Sequence, residues 1–153
     1  LNAVIRLLGA GTAGIETAFF LVILGAYVFG SGFGFILGAS SIFVSAIITG
    51  GIGPWLPFQM MGVGLVGLGA GIIPHTKKLN LSRLFLVLYS IVSSFIYGSL
   101  MTLWNWPYLA GTGTEVSYVA GDPLPSNLTR FFQYELVTGG FFWDIGRAIT
   151  TSV

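Results

Sequence analysis

Charge is what this chain lacks most. Only 7% of its residues are Asp, Glu, Lys or Arg, against about 25% in soluble domains, and none of them falls between Thr17 and Thr76. A soluble globular fold has no way to keep such a run in water, so that class is excluded. Cysteine is absent, which removes disulfides, thiolate metal sites and cysteine nucleophiles and says nothing about redox compartment. Histidine occurs once, at His75, and without further imidazole or soft ligands it makes no metal centre. Its place beside Lys77 and Lys78 predicts a solvated residue at the level of lipid headgroups. The net charge of +1 leaves no electrostatic footprint for nucleic acid. No aspartate-rich motif for a prenyl diphosphate and Mg²⁺ is present either, so an intramembrane enzyme would be poorly equipped.

What is there is apolar. Hydrophobic residues make up 54% of the 153, with 23 glycines, and the mean hydropathy is +0.89. A bilayer core takes about 20 apolar residues per helix, and glycine is commoner in membrane helices than in soluble ones. The fold class is therefore all-α: a polytopic integral membrane protein, a six-helix transmembrane bundle forming a single domain over 1–153. Leu1 to Leu8 reads as the tail of a truncated first helix, and the chain as a fragment of a slightly longer one.

Five spans follow that remnant. Ile15 to Phe29 and Phe33 to Thr49 are separated by a turn at Gly30, Ser31 and Gly32. The stretch from Thr49 to Pro57, TGGIGPWLP, cannot continue a helix, because proline lacks the donor N–H and glycine adds backbone freedom. Phe58 to Ile73 is the third span and ends at Pro74. Lys77, Lys78 and Arg83 come next, and short loops rich in Lys and Arg stay cytoplasmic. Leu84 to Trp106 then leads to a long outer connection, Pro107 to Arg130, and Phe131 to Val153 returns inward. By the same count the TGGIGPWLP loop and the segment around Gly11 to Glu16 lie outside, and the Gly30 turn inside.

Trp55, Trp104, Trp106, Tyr108 and Tyr118 gather in the outer loops. An aromatic belt at the headgroups accounts for them, and so does a ligand site opening outward. Gly62, Gly64 and Gly67 spell a dinucleotide fingerprint, but a proline-broken loop precedes them where a strand is required. Their physical use is close helix approach, shared with Gly69 and Gly71 and with Gly30, Gly34 and Gly38, either inside the bundle or as a docking face for another subunit. Asp144 and Arg147 lie in the last span, where an unpaired charge costs about 2.5 to 3.5 kcal/mol, and their i, i+3 spacing predicts an intramembrane ion pair. Glu16, Glu135 and Asp144 also allow a second reading, a stand-alone proton-coupled small-molecule carrier. Asn80-Leu81-Ser82 and Asn127-Leu128-Thr129 match the glycosylation pattern.

In order, GIETAFFLVILGAYVFGSGFGF at Gly14 to Phe35, GPWLPFQMMGVGLVGLGAG at Gly53 to Gly71 and FFWDIGRA at Phe141 to Ala148 resemble the substrate-binding S component of energy-coupling factor (ECF) vitamin transporters. The chain looks closest to an actinobacterial-type branch of unassigned or corrinoid-like specificity, and thiamine, riboflavin and folate suit an aromatic-lined mouth equally. The resemblance implies a binding subunit in the bacterial plasma membrane that hydrolyses nothing and carries no cofactor. Its implied partners are a transmembrane coupling subunit (T) and two cytoplasmic ATPase subunits, which supply the energy. Docking in that family uses small residues of the first helix, of which this sequence holds only the expected tail, and Ala3 alone does not make the motif. Carried onto this sequence, the substrate-binding residues are Glu16, Trp55, Gln59, Trp104, Asn105, Tyr108 and Gln133, where a flat conjugated vitamin would stack on indole or phenol rings.

Overall fold

Helices account for most of the described backbone in the computed structural model, which describes residues 3–4, 18–109 and 115–152, and of residues 18 and 107–109 the backbone only. Among these residues the elements are α1 (Ala18–Phe29), α2 (Ser31–Thr49), α3 (Leu56–Ala70), α4 (Leu79–Leu109), α5 (Leu124–Val137) and α6 (Gly140–Ser152). Two of them, Ser31–Thr49 and Leu79–Trp106, are long and apolar enough to cross a bilayer unaided.

The turn between α1 and α2 is tighter than the three residues expected. Gly30 alone is non-helical, and its φ of 95° belongs to a region that L side chains rarely adopt. Its N–H still donates to the Ala26 carbonyl, so α1 closes without an orphaned group at this point. At the far end of α2, Gly50 adopts the left-handed conformation and its N–H caps Ala46 and Ile47. Pro57, expected in the loop, occupies the first turn of α3, where a missing N–H is harmless.

Glycine then sets how α2 and α3 meet. A Cβ on Gly67 would land on the carbonyl of Gly34, one on Gly38 would meet the carbonyl of Val63, and one on Gly71 would meet the backbone of Ser31. The two helices run antiparallel with backbone against backbone, the close approach that small-residue seams permit. Gly34, Gly38, Gly67 and Gly71 make this internal seam. Gly30 differs: a Cβ there would meet nothing, so its part is the turn itself. The GxGxxG glycines lie mid-helix in α3, facing Tyr97, Phe35 and Gly34.

α1 packs on α2 and α3, and α4 lies between α3 and α6. Tyr89 of α4 donates its hydroxyl to the Val66 carbonyl of α3 at 2.6 Å, and Phe19 of α1 meets Tyr97 of α4 edge to face. His75 is exposed, as expected, yet it is not merely solvated. Its Nε2 lies 2.7 Å from the Tyr27 carbonyl and its ring stacks on Tyr27 at 4.2 Å, tying the basic loop to the last turn of α1.

The final span departs from expectation. Within the expected span the described residues from Phe131 on form two helices rather than one, because Gly139, with φ 81°, breaks the chain between α5 and α6. α5 also begins inside the stretch expected to be loop. Along it Asn127, Phe131 and Glu135 are buried while Leu124, Leu128, Phe132 and Leu136 face outward. The same inversion recurs in the bundle: Ser90, Ser93, Ser94, Asp144 and Arg147 are buried, and Val28, Phe29, Ile36, Val92, Ile96 and Phe142 are exposed. Water would reverse that distribution, since soluble monomers rarely expose apolar patches beyond a few hundred Å². Lipid explains it, and the molecule is a helical membrane bundle.

Candidate functional site

Two ends follow from the packing. One holds the Gly30 turn, His75, Lys77, Lys78, Arg83 and the end of α6. The other gathers the Gly50–Trp55 connection, the start of α3, the end of α4 and the segment leading into α5. Among the described residues the Gly30 turn shares an end with the basic loop and the Gly50–Trp55 connection lies at the other, as the sequence predicts, while the segment around Gly11 to Glu16 lies outside the described residues.

At the aromatic end the rings of Phe58 and Trp104 stack at 4.9 Å with an interplanar angle of 22°, joining α3 to α4. Trp55 precedes α3 and is 46% exposed. Its indole lies over Gly53, where any Cβ would strike the ring, so the glycine in GPWLP makes room for the tryptophan. Gln59 sits one residue beyond Phe58 and is partly buried. Asn105 donates from Nδ2 to the Met101 carbonyl at 3.1 Å, which fixes its amide and leaves Oδ1 as an acceptor. Trp55, Gln59, Trp104 and Asn105 are thus brought to one end of the α3 and α4 pair. Gln133 is not among them: it is exposed on the face of α5 turned away from Phe131 and Glu135. Glu16 and the side chain of Tyr108 lie outside the described residues.

A structured cap adjoins this end. Trp106 is 4% exposed and donates its indole N–H to the Val116 carbonyl at 2.8 Å. Tyr118 and Phe131 meet its ring edge to face at 5.6 and 5.4 Å. Asn127 clamps the segment with both halves of its amide, accepting from the Val119 N–H at 3.0 Å and donating to the Val119 carbonyl at 2.9 Å. Arg130 reaches the same Asn127 oxygen at 3.1 Å and pairs with Asp122 at 2.6 Å. The amide that completes a glycosylation pattern in the sequence is therefore buried and engaged.

Below the aromatic end a polar column descends the inner face of α4. Ser99 donates to the buried Glu135 carboxylate at 3.0 Å. Farther on, Asp144 and Arg147 pair at 2.5 Å, both buried. Arg147 also donates to the Ser94 carbonyl at 3.3 Å, and its guanidinium lies 5.0 Å from the Tyr97 ring and 5.7 Å from Phe19. Desolvated cation–π contacts of this kind help offset the removal of Arg from water. Gly98 is what admits the carboxylate, because a Cβ on it would fall on the Asp144 oxygens. The pairing could be read from i, i+3 spacing, but the partner glycine on α4 could not. Among the described residues no cluster of His, Cys, Asp and Glu is arranged to hold a metal.

A family model described as the ECF-type riboflavin transporter S component matches residues 2–138. The chain belongs to that family. No individual curated protein and no solved structure matches it. As an ECF S component it is the substrate-binding subunit of a vitamin transporter and not an enzyme. S components in general work with T and ATPase subunits. The matched segment ends at Thr138, and in this S component α6, with its ion pair, lies beyond it.

Proposed function

We propose that this S component captures riboflavin, or a flavin closely related to it, at its aromatic end and delivers it to an ATP-driven importer. The family match carries the reading, since its description names riboflavin. The corrinoid expectation gains nothing from that match. The site chemistry supports a flat tricyclic ligand: the Phe58 and Trp104 stack presents aromatic faces, and the amides of Gln59 and Asn105 supply donors and acceptors for a ring edge carrying both. Trp55, exposed one turn before Gln59, would cover the ligand.

In this reading Lys77, Lys78 and Arg83 face the cytoplasm of a bacterial cell, the aromatic end faces outward, and the chain crosses the plasma membrane several times. A T subunit and two ATPases complete the transporter. Asp144, held by Arg147, is a poor proton relay, so the ATP-driven reading is preferred to a proton-coupled carrier.

Flavin fluorescence gives the test. Titration of riboflavin into the purified S component should quench its emission, and Trp104→Ala should weaken binding by about 1 to 3 kcal/mol, the range for one aromatic stacking partner. Equal affinity of wild type and a Trp55→Ala, Trp104→Ala double variant would place the site elsewhere. Uptake by vesicles containing this chain alone, driven by a pH gradient without ATP, would favour the carrier.

A further inference from the structure

Opposite the aromatic end, α1, α4 and α6 enclose a groove of about 380 Å³ that the flavin site does not use. Its walls are Ile23 and Leu24 of α1 and Leu86 and Val87 of α4, with Phe20 deeper along α1. Arg83, exposed in the second turn of α4, stands at its rim. Ser90 and the last residues of α6, Thr151 and Ser152, complete the lining.

Two observations point to an occupant. Thr151 is 5% exposed, and its Oγ1, like the Ser152 Oγ, has no hydrogen-bond partner. Buried polar groups are ordinarily satisfied, so two closed-off hydroxyls beside a groove would gain acceptors by turning towards a molecule seated in it. The charge at this end is of one sign: Lys77, Lys78 and Arg83 lie here, whereas the described acidic residues sit in the interior or at the other end, and Arg83 makes no ion pair among the described residues. Apolar walls, hydroxyl donors and a rim cation together match a molecule with a hydrocarbon chain, ester oxygens and a phosphate.

We infer that this groove is a binding site for an anionic phospholipid of the leaflet at the basic end, its phosphate on Arg83, its ester oxygens accepting from Thr151 and Ser152, and an acyl chain along Leu24, Leu86 and Val87. Arg83 and Ser90 are seven residues apart on α4, which puts about 10 Å between rim and floor. That spans the step from headgroup to the upper part of an acyl chain. The zwitterionic lipid of the same chain length fits the walls equally and lacks the net charge, so Arg83 confers the preference.

The test is native mass spectrometry of the purified full chain after exchange into equal amounts of phosphatidylglycerol and phosphatidylcholine with identical acyl chains. One phosphatidylglycerol should be retained in preference. Arg83→Gln should lower that preference about fivefold, the effect of one cation near a membrane surface. Thr151→Val, which keeps the shape and loses the hydroxyl, should lower retention of both lipids, and Leu24→Trp, placed at an exposed wall, should abolish it with helical content unchanged. Equal retention of the two lipids by the wild type would overturn the inference, as would undiminished phosphatidylglycerol on Arg83→Gln. Release of the lipid by inorganic phosphate alone would show a free-anion site and overturn it too.

Discussion

Gly98→Ala should destabilise the bundle even though helix propensity argues the opposite. In a helix interior the exchange of Gly for Ala gains about 1 kcal/mol. Here, however, the new methyl would occupy the space of the Asp144 carboxylate. Asp144 would have to leave Arg147, which it meets at 2.5 Å in the buried interior. Breaking a buried pair and leaving a charge uncompensated costs about 3 to 5 kcal/mol. The net is a loss of about 2 to 4 kcal/mol, opposite in sign to the propensity term. Equilibrium unfolding in mixed micelles, followed by far-ultraviolet circular dichroism, measures it. A double-mutant cycle isolates the cause: on an Asp144→Ala background, Gly98→Ala has no carboxylate to displace and should be neutral or stabilising by up to about 1 kcal/mol. Should Gly98→Ala prove as stable as the wild type while Asp144 is present, the carboxylate is not seated against α4 and the reasoning fails.

The glycine seam and the cap give further tests. Gly67→Ala should cost about 1 to 3 kcal/mol by overpacking against the Gly34 carbonyl, while Gly32→Ala, where a Cβ meets nothing, should be neutral or mildly stabilising in the same unfolding assay. Asn127→Ala removes both bonds to Val119 and should speed limited proteolysis within 115–123 while lowering stability by about 1 to 3 kcal/mol, the cost of leaving buried partners unsatisfied.

How much of this could be read beforehand depends on whether a feature is local. The apolar runs, the Gly30 turn and the stop at Pro74 are written in consecutive residues, and so is the spacing that pairs Asp144 with Arg147. The break at Gly139 is masked by apolar residues on both sides, so a window of hydropathy averages across it. Pro123 and Pro125 did mark a helix start, as proline in a first turn often does, but the polar connection around them read as loop. Gln133 is expected near the mouth because it stands at the outer start of the last span. With α5 begun at Leu124, the buried set Asn127, Phe131 and Glu135 has a four-residue period, which turns Gln133 outward. Gly98 and the Tyr27 contact of His75 depend on the register of helices far apart in sequence, and nothing local encodes them.

The seams around the proposed flavin site differ in kind, and that difference bears on how a ligand is admitted. Between α2 and α3 the contact is backbone on backbone at Gly34, Gly38, Gly67 and Gly71, where even a methyl would not fit. Interfaces so close-packed shift as units or not at all, because interiors have few voids to absorb a displacement. Between α3 and α4, by contrast, the contact runs through long side chains: Tyr89 to the Val66 carbonyl, Tyr97 against Gly62, and Phe58 on Trp104 at the open end. Rotation of an indole or a phenyl ring there needs no backbone movement. The residues proposed to hold the flavin flank this second seam, Trp55 and Gln59 on one side and Trp104 and Asn105 on the other. A ligand that inserts its ring between Phe58 and Trp104 exchanges one aromatic stack for two, and leaves α1, α2 and α3 as the fixed wall against which it is bound.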